Sequence, residues 1–196
     1  MTSNAALAPR AISDKSYSYG MYALLVVFGI SLIAISAKIQ IPFWPVPMTL
    51  QTMAIAGIAA AYGLRLGLAT IVAYLAAGFL GAPVFAGMIA GPAYFVGPTA
   101  GFLAGFIVLT VIVGFVADRV SSQSFWKLLG AMLVGDALLF TLGFIWLGYF
   151  FVTGSGNTLG SAFAWEKGVQ PYILADLFKM VLAAAAIPAI SALMKR

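Results

Sequence analysis

Residues Leu66–Ala117 read LGLATIVAYLAAGFLGAPVFAGMIAGPAYFVGPTAGFLAGFIVLTVIVGFVA, 52 residues without a single Asp, Glu, Lys or Arg. A bilayer crossing takes about 20 apolar residues, so this stretch is too long for one helix and must hold two crossings and their connection. The connection is Gly81–Gly97, where four glycines and two prolines fall within 17 residues. A loop in water normally carries charge, and this one carries Phe85, Met88, Tyr94 and Phe95 instead. Irregular backbone at membrane depth survives only where protein or a water-filled cavity satisfies its polar groups. The loop is therefore expected to fold back and line or cover a pocket.

The composition of the whole chain agrees. Of 196 residues, 63% are hydrophobic and 8% charged, against about 25% charged in a soluble domain. There is no cysteine and no histidine, which removes disulfides, iron–sulfur clusters, thiol catalysis and the commonest metal ligand and general base. Five acids and ten bases remain, most of them at the ends of apolar stretches. This argues poorly for chemistry and well for binding or transport; no cofactor is expected. The net charge of +5 reads as a topology signal and not as nucleic-acid binding, because the bases flank apolar spans.

Six spans follow, giving an all-α integral membrane protein: about Gly20–Ala37, Met48–Tyr62, Leu66–Leu80, Pro98–Ala117, Leu128–Val152 and Pro171–Met194. Met1–Tyr19 is a polar tail with no apolar stretch leading to a cleavage site, expected to be cytoplasmic and loosely ordered; residues 20–196 form the transmembrane domain. Lys38–Pro47, with Pro42, Pro45 and Pro47 around Phe43 and Trp44, forbids a helix and holds an extended segment. Val120–Lys127 reads as a short turn and Thr153–Gln170 as a polar extramembrane loop. With both termini in the cytoplasm, seven bases lie inside (Arg10, Lys15, Arg65, Arg119, Lys127, Lys195, Arg196) and only Lys38 and Lys167 outside. The positive-inside rule selects that orientation. The proline-rich turn, the uncharged loop and the start of the last span then meet on the outer face.

The last span carries Asp176 and Lys179. Each is expensive at hydrocarbon depth, by roughly 2.5–3.5 kcal/mol on insertion scales, but three apart on a helix they share a face and neutralise each other. Intramembrane ionisable groups mark solute or ion pathways, so the pair is a candidate site; the bland alternative is an ion pair gluing helices together. Asp136, about two turns into the fifth span, is either a proton or cation site or a helix–helix hydrogen-bond partner. Thr49 and Gln51 open the second span, as ligand contacts or as caps. Phe43, Trp44, Phe85 and Tyr94 form either an apolar box around a ligand or an interfacial aromatic belt. Gly101 and Gly105 make a close-packing motif, and Gly29, Ser31, Ala34 and Ala37 form a small-residue stripe on which a partner protein could sit. No Gly-x-x-x-x-Gly-Lys-Ser/Thr phosphate loop is present, so ATP-driven transport would need another subunit.

Three blocks resemble the biotin-transporter S-component family (BioY): Val46-Pro-Met-Thr-Leu-Gln-Thr52; Gly81-Ala-Pro-Val-Phe-Ala-Gly87 with Gly97-Pro-Thr-Ala-Gly-Phe-Leu-Ala-Gly-Phe106; and Pro171-Tyr-Ile-Leu-Ala-Asp-Leu-Phe-Lys-Met-Val-Leu-Ala-Ala184. Ala175 stands where the family usually has glycine. The resemblance implies a six-helix biotin-binding subunit of an energy-coupling-factor transporter in the bacterial cytoplasmic membrane. Asp176 and Lys179 would be polar ligand contacts, and the first turn and the uncharged loop would close the mouth. The partners it implies are a transmembrane coupling subunit and ATPase subunits, or further copies of the chain. The alternative function is a self-sufficient secondary transporter using Asp136 for ion coupling; an enzyme is not expected.

Overall fold

The computed structural model describes residues 18–120 and 124–193; residues 1–17 of the expected N-terminal tail lie outside the described residues, and its last two, Ser18 and Tyr19, already belong to the first helix. Six helices account for most of the chain: α1 (Ser18–Lys38), α2 (Gln51–Phe79), α3 (Ala100–Ala117), α4 (Phe125–Ile145), α5 (Ser161–Gly168) and α6 (Ile173–Leu193). α4 runs on into a π-helical turn, Trp146–Phe150, and 3-10 turns cover Pro92–Val96 and Gln170–Tyr172. Among the described residues, five helical stretches are long and apolar enough to cross a membrane.

α2 is longer than a crossing requires and is not straight. Gly63 adopts φ 75° and ψ −176° in its middle, a conformation open to glycine and costly for other residues. A straight helix would hold Gln51 and Tyr74 about 34 Å apart, yet Gln51 Nε2 donates to Tyr74 Oη at 2.7 Å. A Cβ built on Gly67 would lie 3.4 Å from Ala59 Cα. The chain therefore reverses at Gly63, and residues 51–62 pack antiparallel on residues 64–79. The reversal frees the Leu64 N–H at the start of the second limb, and Asp118 Oδ2 accepts from it at 3.1 Å. That contact ties the bend to the end of α3 and places a carboxylate where a helix N-terminus favours one.

α3 sits against both neighbours with little side chain between. A Cβ on Gly105 would meet Leu139 Cα at 2.8 Å, one on Gly101 would meet Leu142 O at 2.5 Å, and one on Gly114 would meet Leu64 Cα at 2.8 Å. The Gly101 and Gly105 spacing thus performs the close packing expected of it, against α4. The small-residue stripe of α1 behaves otherwise. Gly29 faces Thr70 and Tyr62 of α2, and Ala37 is fully buried, so those two residues seat α1 on the bundle and do not form an outward contact face. The outward residues of α1 are large and apolar: Leu24, Val27, Phe28 and Ile35 are each about 60% exposed, the surface a lipid environment requires.

Two connections differ from expectation. The proline-rich segment is not merely extended; it closes a two-stranded antiparallel ribbon, β1 (Gln40–Ile41) on β2 (Met48–Thr49), with Gln40 opposite Thr49. The 153–170 loop contains α5, eight residues (SAFAWEKG) that bury Ala164 and Gly168. Ala164 packs beside Gly148, so the helix is supported by the end of α4. The polar, glycine-rich flanks of α5 hid it in the sequence.

Candidate functional site

At the end of the bundle away from Gly63, four connections and the last helix converge. The loop 81–97 lies over this end, and its backbone is satisfied by side chains from three other elements. Lys38 Nζ, at the end of α1, donates to Phe85 O at 2.8 Å and Gly87 O at 2.9 Å. Tyr74 Oη donates to Val84 O at 3.0 Å, and Trp146 Nε1 to Gly97 O at 2.8 Å. The Gly91 N–H adds a main-chain bond to Gly78 O. An uncharged, irregular segment is held here by protein donors, which is the condition for such backbone at membrane depth. Phe85 is its plug: 1% exposed, edge-on to Tyr74 at 5.4 Å and stacked on Tyr94 at 4.4 Å.

Below this cover, Asp176 and Lys179 form a buried ion pair at 2.7 Å on α6. Asp176 Oδ1 accepts from Thr52 Oγ1 at 2.6 Å, and Lys179 Nζ donates to Thr49 O at 2.6 Å. Both bonds cross to the start of α2. Thr49 Oγ1 accepts from the Gln51 N–H at 3.3 Å, the local bond expected at a helix start, while the Gln51 amide reaches Tyr74 instead of solvent. A single connected path therefore runs from Asp176 and Lys179 through Thr49 and Gln51 to Tyr74, Val84 and the covering loop. Buried charges persist only when paired and hydrogen-bonded, and each member of this pair has a partner on another element, Thr52 of α2 for Asp176 and Thr49 of β2 for Lys179. Tyr172, at the head of α6, adds a short bond from its hydroxyl to Val46 O in the proline turn.

The four aromatic candidates divide into two groups. Phe85 and Tyr94 belong to the covering loop. Phe43 and Trp44 lie on the proline turn, 42% and 70% exposed, Phe43 edge-on to Tyr172 at 6.1 Å and Trp44 edge-on to Phe163 at 5.8 Å. Phe43 and Tyr94 meet across a cavity of about 280 Å³ between the proline turn and the loop. Trp44, with Phe43 again, borders a second cavity of about 690 Å³ beside Glu166, Lys167 and Gln170. Glu166 and Lys167 are paired at 2.7 Å. A further cavity of about 580 Å³ lies between α4 and α6, with Asp136, Phe140 and Phe144 on one side and Ile173 and Leu177 on the other.

Sequence reasoning missed Thr52, Tyr74, Lys38 and Trp146. Thr52 lies inside the quoted block Val46–Thr52 and one turn from Thr49; the others carry no local signal, because their partners are 10 to 49 residues away. Among the described residues, no group of His, Cys, Asp and Glu is arranged to hold a metal ion.

These features define a multi-pass membrane protein with a polar network enclosed near one end of an apolar bundle. The chain belongs to the BioY family, whose sequence model matches residues 12–196. It is 30% identical over 163 residues to the biotin transporter BioY2 of Lactococcus lactis subsp. cremoris, covering 83% of this chain and 86% of that protein. It is 33% identical over 154 residues to the biotin transporter BioY of Thermotoga maritima, covering 79% and 86%. A crystal structure of the S-component for biotin from an ECF-type ABC transporter matches with a TM-score of 0.70 at 21% identity, covering 91% of this chain and 95% of that one. The last comparison establishes the shared fold.

Proposed function

We propose that the chain captures biotin from outside the cell and delivers it across the cytoplasmic membrane as the S-component of an energy-coupling-factor transporter, and that it is not an enzyme. The observation that carries this reading is the continuous polar path from the buried Asp176–Lys179 pair to the covering loop. Biotin suits such a site: a ureido ring with N–H donors and a carbonyl, an apolar thioether and chain, and one carboxylate. Lys179 would take the carboxylate or carbonyl, and Asp176 an N–H, each exchanging a present partner for the ligand. Thr49 and Gln51 line the approach, and Phe43, Trp44, Phe85 and Tyr94 supply apolar contact at the mouth.

In this reading each limb of α2 crosses once, making six crossings with both termini in the cytoplasm, which the distribution of bases favours. The relatives' names support biotin as ligand, and the long apolar helices support a membrane location; the bacterial cytoplasmic membrane is part of the proposal. A transmembrane coupling subunit and ATPase subunits would supply energy, since the chain has no phosphate loop of its own.

The test is equilibrium binding of radiolabelled biotin to purified protein, with Asp176→Asn and Lys179→Ala beside the parent. Each variant is expected to bind several-fold or more weakly, because truncation leaves a buried partner unpaired at roughly 1–3 kcal/mol. Binding as tight as the parent's in both variants would remove Asp176 and Lys179 from the site. A parent that binds other vitamins but not biotin would overturn the ligand.

A further inference from the structure

One buried acid has no place in the network just described. Asp136 lies midway along α4, about 16 Å from its first residue at helical rise, and is 8% exposed. Its Oδ1 is buried and has no hydrogen-bond partner among the described residues. The side chain borders the cavity of about 580 Å³ between α4 and α6, whose other walls are almost wholly apolar: Phe140, Phe144, Val169, Ile173 and Leu177. A volume in this range, apolar with one convergent polar group, is the usual form of a small-molecule site. Asp136 is also close enough to Asp176 and Lys179 to interact electrostatically with both. A buried acceptor without a donor is costly to the fold.

We propose that Asp136 is a solute contact, its free oxygen accepting a hydrogen bond from a ureido N–H of biotin while the ring and chain lie on the apolar walls between α4 and α6. This rests on the biotin reading above and adds to it a third polar contact and the wall the ligand's body touches. Oδ1 of Asp176 already accepts from Thr52 and from Lys179, whereas the Asp136 oxygen is free before the ligand arrives. An N–H donor therefore gains a bond there without breaking one. The apolar lining explains why the solute should be amphipathic and not a bare ion: a hydrated cation would lose its shell against phenyl and aliphatic groups with one carboxylate in return.

The experiment compares the parent with Asp136→Asn, Asp136→Leu and Ala137→Phe, measuring radiolabelled biotin binding and ligand-free thermal melting in detergent. Ala137 borders the cavity and is exposed on the helix, so its enlargement fills the space without disturbing the core. All three variants are expected to bind biotin at least tenfold more weakly. The two Asp136 variants are expected to melt at or above the parent's temperature, because an orphaned buried carboxylate has been removed. Binding at the parent's affinity in both Asp136 variants, or in Ala137→Phe, overturns the proposal. Weaker binding accompanied by lower melting in both Asp136 variants also overturns it, since that result marks a structural role. A parent without biotin binding would overturn the ligand assignment itself, and that failure is visible before any variant is compared.

Discussion

Thr52 bears more weight than a hydroxyl usually does. It is buried, and it donates to Asp176 Oδ1, an atom that also receives Lys179. A hydrogen bond to a charged group is worth about 1.5–3 kcal/mol, so Thr52→Val should destabilise the ligand-free protein by about that much, seen as a lower melting temperature, and Thr52→Ser should restore it. Melting of the two variants in detergent checks this; equal stability of Thr52→Val and parent would show that the carboxylate finds another donor. The ion pair was legible at this scale because its two members are three residues apart on one helix, a local relation. Thr52, 124 residues from Asp176, was not, since only the packing of α2 on α6 brings them together. Asp136 was recognised as an intramembrane acid, but its lack of a partner is a property of the whole surroundings and no spacing encodes it.

At the scale of elements, two glycine contacts give opposite expectations for the same kind of change. A side chain at Gly105 would run into the Leu139 backbone of α4, and backbone cannot step aside cheaply. Gly105→Leu should force α3 and α4 apart, at about 1–3 kcal/mol for overpacking, seen as a lower melting temperature. Gly130, on α4, has nothing within 4 Å of an added Cβ, and Gly130→Ala should stabilise slightly through helix propensity. Reversed signs for the two variants would mean that the α3–α4 contact is misplaced. The hydropathy pattern placed the long helices to within about two or three residues at most ends, because each needs a fixed length to cross a bilayer. It missed α5, whose eight residues fall below that length, and the ribbon between β1 and β2, which proline composition alone describes only as extended.

For the whole molecule, the charge distribution makes the strongest demand. Ser155 lies in the exposed segment between the end of α4 and α5, and Ser124 just before α4. The proposed six crossings put Ser155 outside and Ser124 inside. The chain has no cysteine of its own, so single Ser155→Cys and Ser124→Cys variants report without background. A membrane-impermeant maleimide should label the first in intact cells and the second only after permeabilisation. The inverted pattern, Ser124 labelled in intact cells and Ser155 only after permeabilisation, would refute the odd crossing supplied by the reversal at Gly63. That reversal was readable in the sequence only as a break between two apolar runs; its tightness depends on Asp118, which looked like a simple helix end.

Lys38 grips the covering loop through the carbonyls of Phe85 and Gly87, atoms that every amino acid possesses. The clamp is therefore nearly indifferent to spelling: the exposed Met88 and Ile89 can be exchanged without loosening it, while Gly87, at φ 75°, must stay glycine, and shortening or lengthening the loop by one residue would shift the two oxygens off the ammonium. Engineering a new preference into this mouth should thus proceed by substitution at constant length, with position 38 left untouched.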